Sequence, residues 1–409
     1  MAKKTYLLWL FILCMGYLSN IYTAQFLQRD YMFIIVTLYG AYGFYRYPYK
    51  GPHKLYNIKN NKWAWWLFAT MIVSLFIPFI TYNQSIIDTF FSQRFNYYIL
   101  FLLVFLKIQP QWYEIKYTIK VCAYLSLIAY IITIVYPQFY ISPSILNDIV
   151  QKREEYNSTD IGFGAPGWGI AILYFFILCN KLLYFPKTSD IIAVTIFMLY
   201  IIAFQNRSTL LGTIPFYIWS IYKMKSPQKV TYIIALIITA LILIPFLTVI
   251  YNSLINETQK QLEDENYNRW QAIGFLLIEM KTNIYDYILG NGLWTKSGTY
   301  LTKMITAQNF RGVYISDIGL LGTFFYYGII PIIIIYRFCY IAIQNKQIPA
   351  FLKYYSMFIL IVPTIQSFLL LNERTNMTYA LFFYLIIYFQ QNRIFSTSNK
   401  YTYLIYKRG

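Results

Sequence analysis

Apolar runs close to the ~20 residues that carry a helix across a bilayer recur from Tyr6 to just before Arg393, with short polar connections between them. This pattern predicts spans at 6–20, 31–45, 63–82, 95–109, 117–137, 166–184, 189–205, 208–222, 230–251, 316–343, 350–371 and 375–390. A strand crossing a bilayer would instead alternate apolar and polar positions over about ten residues, and continuous runs such as "VTYIIALIITALILIPFLTVIY" do not. The fold class expected is therefore an all-α polytopic membrane protein with about twelve transmembrane helices, a single integral membrane domain over 1–409. Two stretches between spans are long enough to fold by themselves. One is an outer loop at 138–165; the other, at 252–315, is a large loop between the ninth and tenth spans.

Composition strengthens this picture and closes other routes. Hydrophobic residues make up 58% of the chain and charged ones 12%, which no ordinary soluble domain shows. The start, "MAKKTYLLWLFILCMGYLSN", has a basic tip and an apolar stretch but no small-residue cleavage site after it, so it is expected to be the first membrane helix. Most Lys and Arg fall in connections on one side of the predicted bundle, and most Asp and Glu on the other. By the positive-inside rule both termini are cytoplasmic and the two long loops face outward. The net charge of +18 is then a topological bias, and nucleic acid is not an expected partner.

Cys14, Cys122, Cys179 and Cys339 all lie in apolar runs and read as small buried hydrophobes, with no disulfide framework. His53 is the only histidine, so neither a histidine-based metal site nor a Ser-His-Asp triad can be built within one chain. The chain has no GxxxxGK[ST] phosphate loop, and no internal repeat of the kind transporters carry is visible. No cofactor and no metal are expected.

The large loop has internal order. The acidic run Glu263, Asp264 and Glu265 leads to Arg269, and "WQAIGFLLIEM" then places Trp270, Ile273, Leu277 and Met280 at helical spacing. Tyr285 and Tyr287 precede "ILGNGLW", a glycine turn that either brings backbone close to a ligand or simply reverses the chain. Arg207, in "AFQNRSTLLG", lies between two spans. An arginine there serves as a snorkelling anchor or as an anion ligand, since its guanidinium fork matches two phosphate oxygens.

Taken in order, "RSTLL" after a span, the acidic approach to "RWQAIG", the turn "LGNG" and "SDIGLLGTFFYYGIIP" opening the next span resemble the O-antigen polymerase and ligase superfamily. The resemblance covers about residues 200–345 and the layout of spans. It implies glycosyl transfer at the outer face of the bacterial cytoplasmic membrane, with undecaprenyl-diphosphate-linked glycans as donor and acceptor. A flippase and a chain-length regulator are the implied partners besides the bilayer. By the same resemblance Arg207 and Arg269 grip the diphosphate. Ligases of the superfamily carry a histidine about ten residues before the glycine of the post-loop span; here Asp317 stands at that distance from Gly328. That favours a Wzy-type polymerase, which builds O-antigen, capsule or exopolysaccharide, over a ligase, with a lipid-glycan flippase or transporter as the alternative from another class.

Chemistry adds two roles. Fixed cations at a departing diphosphate stabilise the charge it carries away, and Arg311 is the expected third ligand of phosphate or sugar. A carboxylate within reach of the attacking hydroxyl serves as general base, for which Asp317 and Glu373 are the candidates, each at an outer span end. Their plain structural alternatives are a helix cap shared with Ser316 and an ion pair with Arg374. Tyr285, Tyr287, Trp294, Tyr300 and Tyr314 are aromatics placed to stack on sugar faces.

Overall fold

The computed structural model describes residues 3–18, 29–47, 62–94, 96–139, 166–184, 186–203, 207–224, 229–230, 232–234, 237, 248, 268–281, 283–295, 298–311, 313, 315–365 and 373–391. Of residues 29, 30, 207, 268–270, 310, 311, 316, 317, 363–365, 373, 374 and 391 it describes the backbone alone. Most of the predicted span 230–251, residues 140–165 of the loop at 138–165, and residues 252–267, 282, 296, 297, 312 and 314 of the loop at 252–315 lie outside the described residues.

Among the described residues the protein is helical throughout, with no strand. The helices are α1 (Lys3–Cys14), α2 (Arg29–Arg46), α3 (Lys62–Val73), α4 (Ile77–Tyr82), α5 (Ile86–Gln93), α6 (Phe101–Ile108), α7 (Trp112–Val135), α8 (Trp168–Leu182), α9 (Thr188–Ala203) and α10 (Arg207–Lys223). They continue with α11 (Asn268–Gly274), α12 (Ile284–Leu289), α13 (Thr299–Arg311), α14 (Leu320–Tyr327), α15 (Ile329–Gln344), α16 (Ala350–Ile365) and α17 (Glu373–Gln391). Short 3-10 turns lie at Asn96–Leu100, Pro137–Phe139 and Ile315–Ile318, and a π-helical turn at Phe275–Glu279 follows α11. The stretches Lys62–Tyr82 and Trp112–Val135 are long and apolar enough to cross a membrane. The pair Ile86–Gln93 and Asn96–Ile108, bent by 71°, makes a third if it is one span. Trp168–Leu182, Thr188–Ala203, Ile329–Gln344 and Ala350–Val362 are shorter apolar helices.

The chain divides into two compact units, one built on Phe33–Gln111 and Asn266–Tyr401, the other on Ala2–Met32 and Trp112–Glu265. In the second unit α8 packs against α7, α9 and α10, and α1 lies along α7. Helix α8, apolar from Trp168 to Cys179, is buried along almost its whole length, as a helix packed on several sides must be. Polar side chains there serve backbone carbonyls that an apolar interior would otherwise strand. The Tyr17 hydroxyl donates to Cys122 O at 2.5 Å, Ser126 Oγ to Pro166 O at 2.7 Å and the Tyr130 hydroxyl to Ala203 O at 2.7 Å.

In the first unit α15 packs on α16 and α3, and α17 packs on α6 and on the 3-10 turn before it. Stacked and edge-on rings join these helices, with Phe338 and Phe383 4.6 Å apart between centroids and Tyr355 against Phe382 at 5.1 Å. A chain of amides crosses the same interior. Asn376 Nδ2 donates to Asn96 Oδ1 at 3.4 Å, and Asn96 Nδ2 donates to the Tyr327 hydroxyl at 2.7 Å.

Two features depart from the periodicity. Helix α5 falls in the gap expected between spans 63–82 and 95–109, started by Ser85, whose hydroxyl accepts the Asp88 N–H at 3.4 Å. The apolar run expected as one span at 316–343 is instead a 3-10 turn and two helices, broken at Gly328 with φ +72°. Gly328 lies so close to helix α12 that a Cβ would come within 3.0 Å of the backbone of Ile288 and Leu289. Hydropathy is the same on both sides of that break, so the backbone conformation and the close approach decide it.

Gly290 meets the reciprocal constraint, with φ +81° and the backbone of Tyr326 and Tyr327 within 3.0 Å of any added Cβ. Alanine at Gly290 or Gly328 is therefore expected to cost at least about 2 kcal/mol, from left-handed strain and forced separation of two backbones. Gly274 has open space around it, and alanine there should be neutral or stabilise by up to ~1 kcal/mol through helix propensity. Thermal unfolding of the three variants in one detergent measures the contrast; equal melting points would show that the close approach is not under strain.

Candidate functional site

The residues singled out by sequence fall into both units. Arg207 opens α10 in the second unit, which is the position after a span expected for it. The other four lie in the first unit. Arg269 is the second residue of α11, Arg311 the last of α13, Asp317 lies in the 3-10 turn Ile315–Ile318, and Glu373 is the first residue of α17. Helix α11 packs against both the 3-10 turn and α13, so the elements carrying Arg269, Arg311 and Asp317 are brought together. Glu373 stands one helical turn before Asn376, and therefore on the face of α17 that joins the amide chain to Asn96 and Tyr327. The side chains of all five candidates are outside the described residues.

What holds these elements in place is the glycine turn. Helix α12 starts at Asn283, whose N–H is accepted by the Asp286 carboxylate at 3.0 Å, one half of a capping box. It ends at Gly290, whose N–H returns to Asp286 O at 3.0 Å. The next two amides turn outward from this helix. Asn291 N–H donates to Phe325 O at 2.7 Å and Gly292 N–H to Tyr326 O at 2.9 Å. These are among the last carbonyls of α14, which have no partner within their own helix because the chain breaks at Gly328. Of the two roles open to "LGNG", close approach to a ligand or chain reversal, the turn does a version of each. It reverses the chain by laying its backbone against another backbone.

Side chains complete the attachment. Gln84, between α4 and α5, gives Nε2–H to Thr89 Oγ1 at 2.7 Å and to Leu293 O at 2.8 Å, and its Oε1 accepts Thr295 N–H at 3.1 Å. One primary amide thus pairs with the loop as a strand backbone would. Asn291 Nδ2 donates to Met280 O at 2.9 Å and to the Tyr82 hydroxyl at 3.3 Å. Lys281 lies at the centre, 5% exposed. Its ammonium donates to Asp286 O and, at 3.2 Å, to Asn291 Oδ1, and lies 4.6 Å from the Phe324 ring centroid and 5.1 Å from that of Tyr287. Carbonyl oxygens and ring faces replace the water the ammonium lost. Burial still lowers its pKa from 10.5 to about 8, a shift that the nearby Asp286 carboxylate partly offsets.

The aromatics sort in the same way. Tyr300 is 1% exposed, stacked on Tyr82 at 4.1 Å, with its hydroxyl donating to Gly292 O at 2.9 Å. It is a buttress of the turn and presents no face to a sugar. Trp294 packs on Tyr326 at 5.6 Å, whereas Tyr285 is 68% exposed and keeps its ring outside. Tyr314 lies outside the described residues. Lys281, Asn291, Gln84 and Tyr82 were not anticipated. A lone lysine in an outer loop reads as solvated, and the nearer of these two rings, Phe324, comes from 43 positions later; only the nearness of "EMKTN" to the glycine turn hinted at a role.

In the unfolded chain Lys281 holds its proton up to about pH 10.5, but in the fold only to about 8, so unfolding takes up a proton between these values. The fold should gain stability relative to a Lys281→Met variant as pH rises from about 8 to 10.5, with no such trend below pH 7. Paired denaturation curves across that range read the difference directly; a constant difference would mean that the ammonium is not buried. Set against protein-family models, curated proteins and solved structures, the chain matches none of them.

Proposed function

We propose that this protein is a glycosyltransferase of the bacterial cytoplasmic membrane, joining undecaprenyl-diphosphate-linked oligosaccharide units into O-antigen, capsule or exopolysaccharide. On this reading it has about twelve spans, cytoplasmic termini and a reaction centre at the outer face. The observation that carries the reading is the packing of α11 on both α13 and the 3-10 turn at Ile315–Ile318. Two arginines from separate stretches of the large loop and a carboxylate from the start of the next expected span come from elements that meet at α11. In a solvated loop nothing requires such convergence.

The chemistry follows from these groups. The anomeric carbon of the growing chain loses its bond to the diphosphate oxygen and gains one to a hydroxyl of the incoming unit. Asp317 accepts the hydroxyl proton, with Glu373 as the other candidate. The lipid diphosphate leaves with the bonding electron pair, and Arg269 and Arg311 donate to its oxygens, with Arg207 completing the grip. Guanidinium suits this task because it stays charged in an apolar setting and presents two parallel donors. The lipid-linked units arrive through a flippase, and a chain-length regulator acts on the product.

Deleting the gene should leave single repeat units on the cell surface. Loss of all attached glycan would point to a ligase, and lipid-linked units trapped inside to a flippase. Arg269→Ala or Arg207→Ala should abolish long chains while the protein still inserts, with lysine rescuing poorly because it cannot form the fork. Loss of one charge-assisted pair costs about 2–3 kcal/mol, or roughly a hundredfold in rate. Wild-type chain lengths in either alanine variant would sink the diphosphate site. Asp317→Asn should stop polymerisation without altering expression; near-normal polymer would move the base to Glu373.

A further inference from the structure

The second unit shows how the turn that carries Arg207 is held. Helix α9 ends at Ala203, and the last carbonyls of a helix have no partner within it. The Tyr130 hydroxyl supplies one, donating to Ala203 O at 2.7 Å from inside the bundle, where Tyr130 is 3% exposed. One turn earlier on the same face of α7, Ser126 Oγ donates to Pro166 O at 2.7 Å, at the entry to α8. Its single proton is thereby committed, so the Tyr200 hydroxyl, 3.0 Å away, is the donor to Ser126 Oγ. The ring of Tyr200 packs on those of Tyr130 and Trp168, with centroids 4.9 Å and 5.0 Å away. Two hydroxyls of α7 thus fix where α8 begins and where α9 ends.

Arg207 begins α10 only a few residues after Ala203. So short a piece of chain reaches at most about 14 Å even when extended, so the carbonyl that Tyr130 holds limits where Arg207 can stand. Ser208 and Thr209, the next two residues, are 5% and 2% exposed, and α10 packs on both α8 and α9. The start of α10 is therefore set into the bundle. We infer that Tyr130 is a positioning residue for the proposed diphosphate grip, acting on Arg207 through the Ala203 carbonyl. The inference rests on the glycosyl-transfer reading and on its use of Arg207. A guanidinium makes its paired bonds to phosphate only in a narrow geometry, and a displacement of about 1 Å costs up to about a hundredfold in rate. Removing the Tyr130 hydroxyl leaves the ring packed on Tyr200 and releases the end of α9.

The test compares Tyr130→Phe with Thr133→Val, which loses a buried hydroxyl of α7 that is bonded within its own helix, to Ala129 O at 2.8 Å. Membranes carrying each full-length variant are supplied with lipid-linked repeat units extracted from the gene-deletion strain, and chain growth is measured. Tyr130→Phe should slow growth about tenfold, and Thr133→Val should not slow it. In an Arg207→Ala background Tyr130→Phe should cost nothing more, a non-additivity that a general loss of packing does not produce. A second readout needs no activity. The native cysteines Cys14, Cys122, Cys179 and Cys339 are all buried, so a membrane-impermeant maleimide reads position 207 in an Arg207→Cys variant. Tyr130→Phe should change that labelling rate severalfold, and Thr133→Val should leave it alone. Native growth in Tyr130→Phe, additive losses in the double variant, or unchanged labelling would overturn the positioning role. Native growth in Arg207→Ala would instead overturn the diphosphate grip, and this inference with it.

Discussion

The break at Gly328 makes a demand that the rest of the first unit answers. Ending α14 there leaves its last carbonyls without helical partners in a region where an unmade hydrogen bond costs several kcal/mol. The amides of Asn291 and Gly292 meet that demand by direct backbone contact. Contact at that distance requires glycine on both sides, at Gly290 and Gly328. Everything else around the turn, from the Gln84 amide to the stacked Tyr82 and Tyr300 rings, fixes the register in which the two backbones meet. The candidate site inherits its geometry from this joint, because α14 is also the helix onto which the 3-10 turn carrying Asp317 packs.

Side-chain pattern foretold this architecture wherever burial alone decides it. The spans expected at 63–82, 117–137, 189–205 and 208–222 correspond to α3 with α4, α7, α9 and α10, within a few residues at each end, since hydropathy and helix length are properties of a local window. Hydropathy failed at Gly328 because it sums side chains and is blind to a residue whose importance is having none. It also passed over α5, whose signal is a serine cap and not a long apolar run. Within the site, Arg269, "LGNG" and Asp317 stood out in the sequence by their order, whereas the packing of α11 on the 3-10 turn lies in no local window of sequence. Lys281 was not legible, because the groups that bury it come from Asn291 and Phe324, which no periodicity links to position 281.

The way this chain encloses a cation bears on the arginines. Lys281 is enclosed, with its charge spread over carbonyl oxygens and ring faces, and its proton is held loosely enough to leave near pH 8. Such a group can lock a loop, because losing the proton relieves the cost of burial.

An arginine cannot take that route. Its guanidinium does not give up its proton in a protein, so burial has no relief except a partner, and its five donors ask for more acceptors than one loop turn supplies. On the proposed reading, Arg269 and Arg311 come from α11 and α13, which pack together, and a diphosphate supplies acceptors to both guanidinium groups. A lysine there would deprotonate as the cleft closed around an apolar lipid chain, losing its hold on the phosphate at the step that needs it. The use of lysine for the lock and arginine for the proposed grip thus follows from one difference in acidity acting in one low-dielectric setting.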